Sequence, residues 1–457
     1  MLFSSLTFLY YFLPVAVGLY FLVPRRARNG VLLLCSLVFY AWGEPKYVLL
    51  MGVTILLGYG FGLLVGKHRE GKCGKAFCIL SVAASLSFLL YFKYADFILG
   101  SIHDATGWDI PLLGVTLPIG ISFYTFQMVS YTVDVYRGEE AQKSLVGLAA
   151  YIAMFPQLVA GPIVRYSSIA KQLGDRRHSW GLAAYGIRRF VIGLAKKALL
   201  ANQLGEACSQ LQAMGGESVL SYWLDAAAFT LQIYFDFSGY SDMAIGLGSL
   251  FGFRFQENFR YPYVAASITE FWRRWHISLG SWFRDYVYIP LGGNRKGWKR
   301  QVLNILAVWV LTGFWHGASW NFLAWGLFFA VLLIAEKLWL LKRLQKSKVL
   351  SHAYTMFSVM LGFLLFQAGS LGQALDGIGG LFGAGGIPLA SEEALYCLRS
   401  YAVVLLAGGI GATPIVRDVA RRVKAAPAEP LFVAVLLLTV TAYLVDGSFN
   451  PFLYFRF

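Results

Sequence analysis

The chain has 457 residues, of which 58% are hydrophobic, 16% aromatic and 14% charged. A soluble domain carries about 25% charged residues, so a chain this long with a mean hydropathy of +0.59 cannot cover a water-facing surface and belongs in a bilayer. Its net charge of +15 would suggest nucleic acid in a soluble protein; here the excess of Lys and Arg in cytoplasmic loops accounts for it, and no nucleic-acid partner is expected.

The first apolar run, residues 6–23, reaches the ~20 residues needed to span. No basic segment precedes it and no small-residue cleavage site follows it, so it is expected to be retained. Arg25, Arg26 and Arg28 form a basic loop. Two hydrophobic segments, 30–42 and 47–66, read as a hairpin leading to a second basic loop of Lys67, Arg69, Lys72 and Lys75. The runs 76–100 and 303–333 are also long enough to cross. Further candidates lie at 185–204, 223–251, 354–370, 401–415 and 430–445, which gives roughly nine to twelve spans by the same length rule. The loops 294–300, 342–348 and 417–424 are basic as well. If every basic loop is cytoplasmic, an even number of crossings separates each pair, and the N-terminus and Phe457 lie outside.

The five cysteines (Cys35, Cys73, Cys78, Cys208 and Cys397) are odd in number and sit mostly in apolar runs, so no disulfide framework is expected. His68, Cys73 and Cys78 match no zinc spacing, and no metal is expected. Internal repeats are not evident, against the repeated halves of many transporters. The chain reads as one membrane domain, 1–457, all-α in class.

Two zones, 117–177 and 230–300, interrupt the apolar pattern with Pro, Gly and charges. Such backbone is tolerated at membrane depth only where it is buried in protein or lines a wet cavity. Short re-entrant or interfacial helices are expected there. In the first zone Pro156, Gly161 and Pro162 break the helix shortly before Arg165. In the second, Asp236, Tyr240 and Asp242 place two carboxylates and a hydroxyl in a hydrophobic segment; they either line an acceptor path, orient a histidine, or pair with Arg273 or Arg274. From Glu270 to Asp285, one helical wheel at about 100° per residue puts Phe271, Trp272, Trp275, Leu279, Trp282 and Phe283 on one face. Glu270, Arg273, Arg274, Ser278, Ser281, Arg284 and Asp285 fall on the other, and His276 lies at the border. This predicts an interfacial helix with aromatics in lipid and guanidinium groups in water. Glu270 and Arg274 are spaced to pair, and the Arg pair suits a phosphate-bearing donor.

The run 303–333 carries His316. An ionisable residue at that depth is a functional candidate by default. Gly313, Gly317, Ala318 and Ser319 leave space beside the imidazole for a ligand or a neighbouring helix. Gly292 to Gly297 lacks P-loop spacing. Neither a GxSxG elbow nor a zinc-protease motif is present.

The runs Trp272-Arg-Arg-Trp-His276-Ile-Ser-Leu and Tyr288-Ile-Pro-Leu-Gly-Gly-Asn-Arg295 resemble the signature of bacterial membrane-bound O-acyltransferases. Gly313-Phe-Trp-His316-Gly-Ala-Ser-Trp-Asn321 looks like that family's other motif. Leu117 to Gln127, Tyr131 to Arg137, Phe155 to Arg165, Asn450 to Phe455, Met1 to Ser5 and Phe39 to Trp42 are similar to its alginate O-acetylation branch, so the likeness covers nearly the whole chain. The resemblance implies about eleven spans around a tunnel, with His316 as principal catalytic histidine. It places His276 at a less uniform position that other branches fill with Asn. It also implies a bacterial cytoplasmic-membrane enzyme that moves an acetyl group from acetyl-coenzyme A or another thioester toward an extracytoplasmic polysaccharide, often through a partner protein. Trp315 and Asn321 would supply donors beside His316. Two rival readings are D-alanyl transfer to teichoic acid and a polysaccharide transporter.

Overall fold

The computed structural model describes residues 1–159, 161–422, 428–447 and 452–453. The described residues are helical and contain no strand. Positions 423–424 of the last basic loop, positions 450–451 and 454–455 of the tail motif, and Phe457 lie outside them. Two compact units form, Met1–Phe190 with Ser241–Gln256, and Val191–Tyr240 with Glu257–Phe457.

In the first unit the expected hairpin appears as the helices Arg28–Ala41 and Tyr47–Lys67, followed by a 35-residue helix, Lys72–Thr106. Tyr47–Lys67 and Lys72–Thr106 pack against Ile121–Arg137, which is buried on nearly every side. That helix carries Gln127, Thr132 and Asp134 because its surroundings are protein rather than lipid. Two of its polar groups find partners there: Thr132 meets the Ser81 hydroxyl at 2.9 Å, and Asp134 accepts the Ser167 amide at 3.0 Å. Close approach is made possible by glycine. A Cβ at Gly58 would overlap the Met128 side chain, and one at Gly62 would overlap the Tyr131 ring. Phe12, Phe39 and Phe155 form an aromatic plug at the end of the unit's first helices, with ring centroids 5.4 to 5.7 Å apart.

The second unit contains the helices Gly297–His316, Trp320–Ala335, Lys348–Gln367, Glu392–Gly411 and Glu429–Asp446. Across both units, six helices among the described residues are long and apolar enough to cross a membrane: Tyr47–Lys67, Lys72–Thr106, Trp320–Leu344, Lys348–Gln367, Glu392–Gly411 and Glu429–Asp446. The figure of about eleven spans is therefore not confirmed. Helices such as Ile121–Arg137 are enclosed by other helices and need no apolar run.

Two sequence expectations change. Residues 303–333 are not one span. The chain breaks at Gly317, whose backbone is extended, and re-enters a helix at Trp320. Gly313 faces the Phe322 carbonyl and Gly326 faces the Trp309 carbonyl, so the two helices form an antiparallel hairpin in backbone contact. Likewise, residues 270–285 are not one interfacial helix. Ile268–Arg274 ends before His276, Ile277–Phe283 begins after it, and Phe271, Trp275, Leu279, Trp282 and Phe283 are buried in protein rather than in lipid. The wheel found the correct apolar face, but a helical period cannot reveal a break in the backbone. Short helices do occupy both polar zones, at Leu145–Ala153, Phe155–Leu158 and Tyr166–Gly174, and again between Pro262 and Tyr288.

Replacing Gly62 with Leu should destabilise the first unit by about 1–3 kcal/mol through overpacking. Gly60→Leu, where an added Cβ meets nothing, should leave the unfolding temperature of the solubilised protein unchanged. Equal unfolding temperatures for the two variants would contradict the packing described.

Candidate active site

Local sequence builds the segment that holds His276. Ser267 accepts the Glu270 amide at 3.0 Å, and the Glu270 carboxylate reaches back past this N-cap to accept the Ala266 amide at 2.9 Å, a variant of the capping box that starts Ile268–Arg274. A second carboxylate, Glu336, covers the same helix start. It is 1% exposed and accepts the amides of Ile268 and Thr269 at 2.6 and 2.8 Å and the Thr269 hydroxyl at 2.6 Å. Negative charge at a helix N-terminus meets the positive end of its dipole. Glu336 was missed in the sequence; a carboxylate inside the apolar run 320–340 was the available signal.

The helix ends where Trp275 turns extended, and His276 follows with φ +44°. A left-handed backbone is uncommon for a residue other than glycine and marks a position held by its surroundings. Asn258 does the holding. Its Oδ1 accepts from His276 Nδ1 at 3.2 Å, from the Ser278 amide at 3.1 Å and from the Ser278 hydroxyl at 2.8 Å. Its own carbonyl accepts the Ile277 amide at 3.0 Å, and the Arg260 amide donates to the Arg274 carbonyl at 2.9 Å. Because Oδ1 only accepts, Nδ1 carries the proton, and the lone pair sits on Nε2. That nitrogen is buried and makes no hydrogen bond. Burial pushes the His276 imidazole down to about 3, so it is neutral. Asn258 had no motif to announce it.

His316 is the last residue of Gly297–His316 and is 7% exposed. Its ring stands edge to face against Trp325 and Phe366, with centroids 5.0 and 5.2 Å away. Trp315 lies between the two imidazoles, 5.0 Å from His316 and 5.9 Å from His276. The small residues expected to leave room beside His316 are filled by the hairpin: Gly313 by the Phe322 backbone and Gly317 by the Phe322 ring. Asn321 was expected to point a donor at the site. It instead directs its amide to the carbonyls of Ala368 at 2.7 Å and Leu365 at 3.4 Å, and its oxygen accepts from Ser319. It closes the hairpin onto the end of Lys348–Gln367.

The other candidates separate. Arg274 pairs with Glu270 at 2.7 Å as the spacing predicted, and Arg273 is exposed. Asp236 is 3% exposed and does not pair with either arginine. It forms a buried ion pair with Lys197 at 2.6 Å and accepts the Leu453 amide at 2.7 Å. Tyr240 is buried edge-on against Phe452, with centroids 4.6 Å apart. Asp242 pairs with Arg189 at 2.7 Å, and both belong to the first unit, as does Arg165. His316, His276, Trp315, Asn321, Arg273, Arg274, Asp236 and Tyr240 all belong to the second.

Asn258→Ala strands His276 Nδ1–H and the Ser278 donors, and should cost about 1–3 kcal/mol for each buried group left unsatisfied. Asp236→Ala removes the carboxylate that pairs with a buried ammonium and should cost about 3–5 kcal/mol, whereas Lys197→Met with Asp236→Leu should recover most of that loss. Thermal unfolding of the purified variants reads both. Recovery that fails in the paired variant would mean the ion pair is not the source of the cost.

The sequence model described as MBOAT, membrane-bound O-acyltransferase family, matches residues 85–368. The chain is 39% identical to the probable alginate O-acetylase AlgI of Pseudomonas putida, over all of both chains. It is 32% identical to the peptidoglycan O-acetyltransferase of Helicobacter pylori, over 86% of this chain and 82% of that one. It is 31% identical to the teichoic acid D-alanyltransferase of Bacillus subtilis, over 47% of this chain and 58% of that one. A buried pair of histidines on a broken helix and a helical hairpin thus occurs in a chain that belongs to the membrane-bound O-acyltransferase family and is an O-acyltransferase.

Proposed function

We propose that this protein transfers an acetyl group from a cytoplasmic thioester, acetyl-coenzyme A or an equivalent carrier, toward hydroxyls of a polysaccharide outside a bacterial cytoplasmic membrane. An extracytoplasmic acetyltransferase partner would complete the transfer. The observation that carries the reading is the His316 imidazole at a helix end, enclosed by Trp315, Trp325 and Phe366, with a second neutral imidazole across Trp315. The relatives named for alginate and peptidoglycan acetylation supply the substrate class.

The chemistry follows from a neutral base. His316 takes the proton of the attacking hydroxyl. The oxygen adds to the thioester carbonyl, the tetrahedral oxyanion collapses, and the C–S bond breaks. The proton held by the imidazole leaves with the thiolate. In the aromatic enclosure, an electrostatic interaction with the oxyanion is stronger than in water. Donor and acceptor meet at His316 from opposite faces of the membrane. Arg273 and Arg274 would attract the donor's phosphate groups, and Asn321 serves as a positioning residue through the hairpin.

Reconstitution in liposomes with labelled acetyl-coenzyme A and candidate glycans tests this. His316→Ala should abolish transfer while the protein still folds and inserts; retained transfer would remove His316 from the mechanism. Aminoacyl-carrier accepted in place of acetyl-coenzyme A would instead favour the D-alanyl reading. His276→Asn should keep the acid limb of the pH–rate profile where it is, because His276 is already neutral well below the assay range. The same shift links to stability: the unfolded imidazole binds a proton below about pH 6.5 and the folded one only near 3, so stability falls as pH drops through that window. His276→Asn should shrink that acid loss in an unfolding series from pH 7 to 4.

A further inference from the structure

We infer that the first unit carries a phosphate-binding site built from Arg28, Arg176 and His178, distinct from the histidine site and suited to a phospholipid headgroup. Arg28 opens the helix Arg28–Ala41, which follows the exposed end of the first apolar helix after the short 3-10 turn Arg25–Ala27. Arg176 and His178 lie in the loop between Tyr166–Gly174 and Trp180–Ala195. One hydroxyl ties them together. Tyr20 donates to the Phe251 carbonyl at 2.9 Å, and so accepts from Arg176 Nε at 3.2 Å and from His178 Nε2 at 3.1 Å. The remaining His178 nitrogen, Nδ1, accepts from Arg28 at 3.3 Å.

Two guanidinium groups therefore meet at one linked pair, Arg176 on the Tyr20 hydroxyl and Arg28 on the His178 imidazole. Neither makes an ion pair with a carboxylate among the described residues. Arg28 Nε is buried without a hydrogen-bond partner. Burial and the Arg28 charge lower the Arg176 pKa, and burial with the neighbouring Arg28, Arg176 and Arg25 charges lowers that of His178. Like charges are rarely collected in partial burial without a counter-ion. The helix start sharpens the point. Ala27 offers no side-chain cap, and although the Arg28 amide donates to the Arg25 carbonyl of the preceding 3-10 turn, the dipole at this end is positive. A cation at that end is unfavourable unless an anion sits with it.

Packing holds the cations ready. Arg28 lies 5.2 Å over the Tyr20 ring and 5.3 Å from the Phe21 ring, and Arg176 lies 4.3 Å over Phe253. Arg176 Nη1 also donates to the Gln172 carbonyl at 3.3 Å, and Nη2 of each guanidinium is left as the donor that a phosphate oxygen would meet. Phe21, Leu22 and Trp180 are exposed beside the cluster. Aromatic and apolar side chains next to Arg are the composition of a membrane interface, which favours a lipid phosphodiester over a soluble phosphate.

The full-length protein in detergent, relipidated from phosphatidylethanolamine vesicles with or without phosphatidylglycerol, tests the site by native mass spectrometry. Wild type should retain phosphatidylglycerol. Arg28→Gln with Arg176→Gln should lose about tenfold in retention, while the charge-matched control Arg421→Gln with Arg422→Gln should not. Inorganic phosphate in a parallel unfolding series separates the sources. Stabilisation by phosphate that the site variant loses, with lipid retention unchanged, would keep the phosphate site and replace the headgroup by a soluble phosphate ester. Unchanged lipid retention and unchanged phosphate response in the site variant would overturn the proposal. Should the double variant not fold, Arg28→Lys keeps the charge and removes the two-point fork; equal lipid and phosphate binding to wild type in that variant would overturn it equally.

Discussion

One carbonyl oxygen organises the candidate site. Asn258 Oδ1 gathers a ring N–H, a backbone amide and a hydroxyl, all from the three residues 276–278. Away from water such donors must be satisfied by protein, and only a tight left-handed turn at His276 brings them to one acceptor. Fixing the turn fixes the imidazole tautomer, and the tautomer leaves the lone pair on Nε2. The backbone conformation and the protonation state of the side chain are thus set by the same contact. Glu336 acts on the other end of the short helix that leads into this turn, binding its first amides from within an otherwise apolar run. Two polar residues, separated by 78 positions in sequence, hold one histidine in place between them.

The second histidine is placed by the close approach of two helices at glycine. Gly313 and Gly326 let the two arms of the hairpin touch through backbone, so His316 emerges at the tight end, where the helix stops. The rings that close around it come from both arms and from Lys348–Gln367. Rigidity of this kind suits a base that must meet a hydroxyl in one orientation.

Much of this was legible in the sequence. Composition set the membrane class, and apolar length located five of the six spanning helices, because lipid imposes a single simple rule on exposed surface. The pair Glu270–Arg274 was readable because it is local. What escaped was non-local or a matter of backbone. The break at His276 lay inside a run with a sound helical period. The hairpin at Gly317 lay inside a run long enough to cross. Asn258 and Lys197 act on partners 18 and 39 residues away, and no spacing rule connects them. Asp236 drew notice as a carboxylate in apolar surroundings, but its partner, a lysine in the π-helical segment Lys196–Ala201, could not be chosen from several cations.

The contact between Asp236 and the Leu453 amide has a consequence for the order of assembly. Lys197 and Asp236 emerge from the ribosome more than two hundred residues before Leu453 does. Until then the carboxylate lacks one of its two partners, and the Phe452 ring that covers the ammonium at 4.7 Å has not been made. The interior of the second unit therefore cannot close around this charge during most of synthesis. Its helices insert first, and the last polar seal forms only when the distal segment arrives.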